Sequence, residues 1–289
     1  MVLDASSPVA ALFGLTDRID AVLRAFLAER RADLASIDPA ATEPVDELIR
    51  LVEAGGKRVR PAFCYWGFRA AGGPDGDPIV RAAAALELLH TMALIHDDVM
   101  DASVARRGTA TVHVRQAEVA AGRGATDAAR VGTAVAILAG DLSAVLADQL
   151  LLESGFPPDR LAAALARYHR VRVEMAAGQY LDLVGADLEV RRLAHLKGGA
   201  YTVLGPLLIG SALAGAHAAV EEGLRAYGEP LGQAFQLLDD LRDGDVAAGV
   251  GPADVDALIV RAKTALRPGA MDPAAMGALG TLADLIGDG

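Results

Sequence analysis

The sequence contains a single cysteine, Cys64, so no disulfide can form within the chain, and a reducing compartment, by default the cytoplasm, is expected. No stretch near the N-terminus joins a basic segment to an apolar core, so no signal peptide is predicted. Positive charge is also scarce, because 27 lysines and arginines face 38 aspartates and glutamates, for a net charge of -11. A nucleic-acid partner is therefore not expected, and phosphate ligands would need a metal ion to mediate their binding.

Strand-forming residues are scarce as well. Aromatic residues make up only 4% of the chain, and no useful run of alternating apolar and polar residues occurs. Alanine, leucine, glutamate and arginine are abundant, which predicts an all-α fold of about ten helices with no sheet. The longest uncharged stretch, Gly198 to Val220, has the length of a membrane span, but its polar residues and glycines favour a buried core helix broken near Pro206. No membrane span is predicted.

The chain also lacks a linker that would divide it and an internal repeat that would indicate an array. Proline, glycine and polar residues cluster at 72–78, 154–159, 244–252 and 267–273, and each cluster has only the length of a turn. A single domain over residues 1–289 is therefore predicted.

Two acidic clusters of the same form stand about half a chain apart. They are Asp97-Asp98-Val99-Met100-Asp101 and Asp239-Asp240-Leu241-Arg242-Asp243, and each follows a mostly apolar run that predicts a helix. Residues four apart lie on one face of a helix, so the outer aspartates of each cluster form a pair one turn apart. Carboxylate pairs suit Mg²⁺, which proteins usually hold with one or two carboxylates and the phosphates of a substrate. The double motif predicts a diphosphate held between two acidic walls.

Basic residues complement these clusters at two places. In Gly55-Gly56-Lys57-Arg58-Val59-Arg60-Pro61, the glycines end a helix and Pro61 suits the first turn of the next, so three cations lie near the amides that open that helix. Arg106-Arg107-Gly108 follows Asp101 and could turn back toward bound phosphates. Taken alone, Lys197 favours a solvated helix terminus and His90 a core histidine; since His90 lies two turns before Asp97, we favour a phosphate contact for it.

From near residue 18 to Asp243, the sequence resembles the trans-isoprenyl diphosphate synthases, the polyprenyl synthetases of farnesyl and geranylgeranyl diphosphate synthesis. The matching motifs are GGKRVRP at 55–61, ELLHTMALIHDDVMD at 87–101, RRG at 106–108, AGD at 139–141, GQYLDL at 178–183, KGGAYT at 197–202 and GQAFQLLDDLRD at 232–243. The resemblance implies an isoprenoid synthase-type helical bundle around a central active-site cavity, usually as a homodimer.

The resemblance also implies a role for each matching residue. Asp97, Asp101 and Asp239 would coordinate Mg²⁺, roughly three ions per site, with Asp98, Asp240 and Asp243 in support. Arg106 and Lys197 would neutralise an allylic diphosphate, and Lys57, Arg60, His90 and Arg107 would hold isopentenyl diphosphate. Gln179, Asp182 and Gln236 would line the space near the ionising carbon. Met92 and Ala93 would form the floor of the tail pocket, and their combined size favours geranylgeranyl diphosphate as the product.

Beyond Asp243 the sequence departs from the family's pattern. Gly244 to Pro252 runs directly into Val255–Leu266, so a block of several tens of residues is expected to be absent. Gly198 also stands where the family usually has threonine, and Lys263-Thr264 is predicted to lie on a helix surface. Elongation of a prenyl chain is the favoured function. Two alternatives stay open: a terpene cyclase or other prenyltransferase of the same fold, and a non-catalytic partner subunit.

Overall fold

The computed structural model describes residues 8–106, 108–185, 195–243, 251–266 and 271–287. Within these ranges, the side chains of residues 8–11, 13, 195–198 and 243 are outside the description. Arg107 and the side chains of Lys197 and Asp243, all predicted site residues, therefore lie outside the described part of the chain.

The described residues are almost entirely helical, which confirms the all-α prediction. They contain α1 (Pro8–Ile37), α2 (Glu43–Glu53), α3 (Val59–Ala70), α4 (Asp77–Met100), α5 (Val112–Gly122), α6 (Ala128–Leu152), α7 (Pro158–Leu183), α8 (Gly205–Ala214), α9 (Ala218–Asp243), α10 (Pro252–Ala265) and α11 (Pro273–Gly287). A 3₁₀ turn, Pro39–Thr42, precedes α2, and a π-helix, His195–Leu204, leads directly into α8.

One small sheet corrects the expectation that the chain has none. β1 (Ala105–Arg106) pairs antiparallel with β2 (Thr109–Ala110), and Arg106 lies opposite Thr109. Strands of two residues are too short to carry an alternating pattern, so the sequence could not reveal them. Their effect is to fold the chain back shortly after the first aspartate cluster.

The signals for helix ends are confirmed at two places. α2 ends at Glu53, and Gly55 follows with a positive φ of 82°, as expected for a glycine just past a helix end. Pro206 lies in the first turn of α8, directly after the π-helix, and α8 is buried from Gly205 to Leu213. The predicted burial is confirmed, but the chain stays helical at Pro206 and changes there from a π-helix to an α-helix, because proline is tolerated in the first turn of a helix.

The chain separates into two compact units. The first combines Met1–Thr16, Arg58–Ala83 and Ser154–Gly289, and the second combines Asp17–Lys57 and Ala84–Glu153, as far as these ranges are described. In the first unit, the fully buried Tyr227 of α9 donates a hydrogen bond of 2.7 Å to the carbonyl oxygen of Leu279 on α11. In the second unit, the Ser143 hydroxyl of α6 donates to the carbonyl oxygen of Leu88 on α4 at 2.7 Å. Each unit thus has a core in which a buried side-chain hydrogen bond joins two helices.

Two helices, α4 and α6, are long and apolar enough to cross a membrane by length and composition. In the most apolar window of each, 67% of α4 and 50% of α6 is buried inside the structure. Core helices pass the same test, so these two helices are weak grounds for a membrane span.

Candidate active site

The first aspartate cluster lies at the C-terminal end of α4, in the second unit. The helix is closed by Ala102 in a left-handed conformation (φ 51°), and the Ser103 amide donates to the carbonyl oxygen of Asp98 at 2.9 Å. The side chain of Asp98 is only 5% exposed, whereas that of Asp97 is 37% exposed and Asp101 is exposed as well. The outer pair of carboxylates therefore reaches solvent, while the middle aspartate faces inward.

Arg106 returns to this cluster from strand β1. Its Nε donates to Asp98 Oδ1 at 2.8 Å, and its Nη2 lies 3.3 Å from Asp97 Oδ2. Burial lowers the pKa of Arg106, but the hydrogen bond that Arg106 donates to Asp98 and the negative charge of Asp98, Asp97 and Asp101 outweigh it, so the pKa is raised overall. The expectation that the chain turns a guanidinium back toward the cluster is confirmed for Arg106.

The second cluster closes α9, in the first unit. Asp239 is exposed, and Asp240 is half-buried. The Gln236 amide donates to Asp240 Oδ1 at 2.8 Å, one helical turn away. In both clusters the second aspartate thus accepts a hydrogen bond from a neighbouring side chain of its own unit and the first reaches solvent. From the sequence, the second aspartates were expected only to support the metal ligands, and that role stays a prediction. Their hydrogen bonds to Arg106 and Gln236 could not be predicted.

The other predicted residues of α4 lie one to two turns before the cluster. His90, Met92 and Ala93 are all half-buried. His96, which precedes the cluster, packs its ring on α6, with Nε2 at 3.2 Å from the carbonyl oxygen of Ile137. A Cβ at Gly140 would overlap this ring, which gives the AGD motif a physical reason: the glycine makes room for the residue that seats the end of α4.

The basic loop before α3 differs from the expectation of three available cations. Arg58 is 3% exposed and adopts a left-handed conformation with φ 48°, so its side chain faces inward. Lys57 is exposed and Arg60 is half-buried. Arg60 donates from Nη2 to Thr202 Oγ1 at 2.8 Å, and its Cζ lies 4.5 Å from the centre of the Tyr201 ring. The loop therefore offers two cations instead of three.

The π-helix carries the KGGAYT motif and packs directly on α9. The backbones of Gly199 and Gly232 approach so closely that a Cβ on Gly199 would lie 2.9 Å from the Gly232 carbonyl oxygen. Lys197 belongs to the same π-helix. On α7, which ends nearby in sequence, Gln179 is half-buried and Asp182 is exposed. The sequence alone does not reveal this contact of Gly199, because its partner Gly232 is 33 residues away in the chain.

Replacing Gly199 by alanine should therefore separate the π-helix from α9. We expect a loss of about 1–3 kcal/mol in the free energy of unfolding, since the added methyl group meets backbone that cannot rotate away. Gly280→Ala is the matched control, because nothing lies within 4 Å of a Cβ at that helical position, and it should be neutral or slightly stabilising. Thermal or urea unfolding measures both, and equal stabilities for the two variants would refute the close contact.

Within the first unit, a cavity of about 550 Å³ lies between α7, the π-helix, α8 and α9. Its lining residues include Arg167, Arg170, Glu174 and Arg225, and none of the predicted site residues. The arginines are paired with carboxylates, since Arg167 and Arg225 both donate to Glu221 and Arg170 donates to Glu174. The cavity therefore does not coincide with the predicted diphosphate site.

Among the residues that the structure describes, no group of three or more potential metal ligands is gathered at one point. This agrees with the donor chemistry of the clusters. The first cluster presents Asp97 and Asp101, exposed carboxylates one turn apart, and the second presents the exposed Asp239. Carboxylate oxygens of this kind suit Mg²⁺, whose shell the phosphates of a substrate would complete. The residues present thus fit Mg²⁺ and do not fit a closed structural metal centre.

Comparison with known proteins identifies this arrangement. The model of the polyprenyl synthetase family matches residues 42–247. A geranylgeranyl pyrophosphate synthase of Geoglobus acetivorans is 34% identical over 199 residues, which are 66% of this chain and 57% of that protein. Octaprenyl diphosphate synthase of Escherichia coli is 32% identical over 225 residues, which are 73% of this chain and 63% of that protein. The chain thus spans less than two thirds of the length of these curated relatives.

Among solved structures, the chain is similar to a geranylgeranyl pyrophosphate synthase from Corynebacterium glutamicum, described as complexed with isoprenyl diphosphate and magnesium. The two are 25% identical with a TM-score of 0.87, and the match covers 96% of this chain and 99% of that one. The family model, the relatives and the fold agree with the resemblance drawn from the motifs. The chain belongs to the polyprenyl synthetase family.

Proposed function

We propose that the protein is a Mg²⁺-dependent trans-prenyltransferase, acting as a single polyprenyl synthetase-like domain, that condenses isopentenyl diphosphate with an allylic diphosphate. The observation that carries the proposal is the pair of aspartate clusters, each closing a long helix with its first carboxylate exposed and its second accepting a hydrogen bond from a neighbouring side chain. The Corynebacterium structure supports it, because that protein is described with isoprenyl diphosphate and magnesium and 99% of its chain is matched.

In this proposal Asp97, Asp101 and Asp239 hold the metal, with roughly three ions in each site. The bound Mg²⁺ supplies positive charge that neutralises a diphosphate leaving group. Asp98 has a different task, because its buried carboxylate holds Arg106 beside the exposed pair. Asp240 and Asp243 complete the second wall.

The basic residues divide between the two substrates. Arg106 and Lys197 would contact the allylic diphosphate, and Arg106 already lies beside Asp97 and Asp98. The diphosphate of isopentenyl diphosphate would bind the four remaining basic residues, Lys57, Arg60, His90 and Arg107. Guanidinium groups suit this task because their fork of N–H donors matches phosphate oxygens.

The chemistry then consists mainly of positioning and charge stabilisation. The allylic C–O bond breaks, and Arg106 and Lys197 stabilise the departing pyrophosphate. The double bond of isopentenyl diphosphate attacks the allylic carbon, a C–C bond forms, and a proton passes to the pyrophosphate. Gln179, Asp182 and Gln236 would line the space around the reacting carbon, and apolar walls would keep water from it.

Product length depends in this proposal on the half-buried pair Met92 and Ala93 of α4. A flexible methionine beside a small alanine leaves room for a tail longer than that of farnesyl diphosphate, so we propose geranylgeranyl diphosphate as the main product. Relatives that make octaprenyl diphosphate show that product length differs among similar chains.

The test is an elongation assay with the full chain, Mg²⁺, labelled isopentenyl diphosphate and, separately, dimethylallyl, geranyl and farnesyl diphosphate. Products that end at the geranylgeranyl length with every primer would support both the activity and the product. A different end point would overturn only the product. Hydrocarbon without incorporated label would support a cyclase, and inactivity with all three primers would favour a partner subunit.

We further propose that the enzyme is a cytoplasmic homodimer. α6 exposes a row of large apolar side chains at seven-residue spacing: Leu138 at 60%, Val145 at 55% and Leu152 at 52%. Seven residues are two helical turns, so the row forms one stripe that a second copy of the chain could cover. The cytoplasmic location is proposed because the chain has one cysteine, Cys64, and a protein without an intramolecular disulfide is typical of a reducing compartment.

A double change, Leu138→Glu with Val145→Glu, is expected to yield a monomer, because four carboxylates would face one another across the stripe. Val260→Glu is the control, since Val260 is 63% exposed on α10, away from the row. Light scattering after size exclusion measures the mass of each variant. A dimer that survives the double change would rule out α6 as its interface.

A further inference from the structure

Arg60 is held from one side by two neighbouring residues of the π-helix. Its Nη2 donates to the hydroxyl oxygen of Thr202 at 2.8 Å, and its guanidinium lies over the ring of Tyr201 at 4.5 Å. Thr202 is fully buried and Tyr201 is 5% exposed, so neither can move without disturbing the core of the first unit. The plane and the depth of the guanidinium are therefore both fixed by residues that do not reach the surface.

The same guanidinium keeps unused hydrogen-bonding capacity. The Nε of Arg60 is buried and has no hydrogen-bond partner within the described structure. A buried donor without an acceptor is unfavourable, and a diphosphate oxygen would relieve it. An arginine that is already oriented also loses little side-chain freedom when an anion binds.

We propose that Tyr201 and Thr202 are positioning residues that hold Arg60 ready for the diphosphate of isopentenyl diphosphate. This inference rests on the proposed function and deepens it, because it adds two residues that touch no substrate. The π-helix that carries them also carries Lys197 and is seated on α9 by the contact of Gly199 with Gly232. One helix would then carry both Lys197, which contacts the allylic diphosphate, and the two residues that position Arg60 for isopentenyl diphosphate.

The experiment compares Thr202→Val with Thr202→Ser. Valine keeps the volume but removes the acceptor, so KM for isopentenyl diphosphate should rise about tenfold. KM for the allylic diphosphate should change less than about twofold, because Arg60 does not serve that substrate in the proposal. Serine keeps the acceptor and should restore the wild-type KM. A general loosening of the fold would instead raise the KM values for both substrates, and Thr202→Ser would then have the same KM values as Thr202→Val.

The ring contact is tested in the same way. Tyr201→Leu should raise KM for isopentenyl diphosphate severalfold, whereas Tyr201→Phe keeps the aromatic face and should stay close to the wild type. Equal effects of leucine and phenylalanine would overturn the role of the ring.

Calorimetric titration with isopentenyl diphosphate alone separates this inference from the function. Without an allylic primer no turnover occurs, so the titration reports binding only. Weaker binding by Thr202→Val supports the positioning role even if the wild type incorporates no label, a result that would overturn the function alone. If the wild type is active and Thr202→Val binds isopentenyl diphosphate as tightly as the wild type does, the positioning role is overturned and the function stays intact. A wild type that binds no isopentenyl diphosphate overturns both.

Discussion

Replacement of Asp97 by alanine is expected to lower kcat for prenyl transfer by about a thousandfold, the scale of losing much of the charge stabilisation that a bound metal provides. The carboxylate is 37% exposed and lies 3.3 Å from Arg106, so its loss removes a proposed metal ligand from the surface of the cluster without opening the core. Steady-state kinetics with saturating Mg²⁺ measures the effect. Thermal shift by Mg²⁺ with pyrophosphate gives a second readout, because a ligand that binds only the folded chain raises Tm.

Asp256→Asn is the matched control for this change. Asp256 is an exposed aspartate on α10, so its replacement also removes one surface negative charge, but outside both clusters. Its kinetics and its thermal shift should equal those of the wild type. If the Asp97 variant kept the full shift with Mg²⁺ and pyrophosphate, the assignment of the first cluster as the metal ligand set would be wrong.

Replacement of Glu47 by alanine is expected to lower the free energy of unfolding by about 3 kcal/mol, as for other buried ion pairs that lose one partner. Glu47 of α2 is fully buried in the second unit. It accepts hydrogen bonds from Arg50 Nε at 2.9 Å, from Gln116 Nε2 at 2.6 Å and from Arg115 Nε at 2.8 Å. The variant leaves these donors without their common acceptor and opens a cavity between α2 and α5. Urea unfolding measures the loss.

Glu43→Ala on the same helix is the control. Glu43 pairs with Arg123, whose side chain is 65% exposed, so this pair should contribute less than about 1 kcal/mol. A Glu47 variant as stable as the Glu43 variant would show that the buried network does not stabilise the second unit.

The pH dependence gives an independent check on Glu47. Burial raises the pKa of its carboxyl, but the hydrogen bonds from Arg115, Gln116 and Arg50 outweigh burial, and the pKa lies below its ordinary value of 4.5. A lowered pKa in the folded state means that the carboxylate stabilises the fold above the unfolded value. That stabilisation is lost as the pH falls through the lowered folded value. The stability difference between the wild type and Glu47→Ala should therefore be constant near neutral pH and shrink below about pH 4.5.

Much of the fold follows from short-range patterns in the sequence. Apolar periodicity and helix propensity predict the helices, and local signals such as Gly55, Pro61 and Pro206 mark where helices end or begin. The two aspartate clusters are also local, because four-residue spacing alone places their outer members on one face. These features need only residues within about two turns of one another, which is why the sequence reveals them.

The remaining features depend on contacts between distant parts of the chain. The inward turn of Asp98 depends on Arg106, which lies on a two-residue strand too short to predict. Arg58 is buried and has a left-handed backbone conformation that no local sequence signal indicates. The contact of Gly199 with Gly232 and that of Arg60 with Thr202 span 33 and 142 residues. Sequence patterns alone do not report such contacts.

In the proposed reaction, each isopentenyl unit added to the chain releases one pyrophosphate. The most direct measurement follows both quantities in one reaction, with the full chain, Mg²⁺, geranyl diphosphate and labelled isopentenyl diphosphate. Equal molar amounts of incorporated label and released pyrophosphate are expected, with no release when isopentenyl diphosphate is omitted. Pyrophosphate released without incorporation would contradict the proposed reaction, because the chain would then ionise the allylic substrate without elongating it.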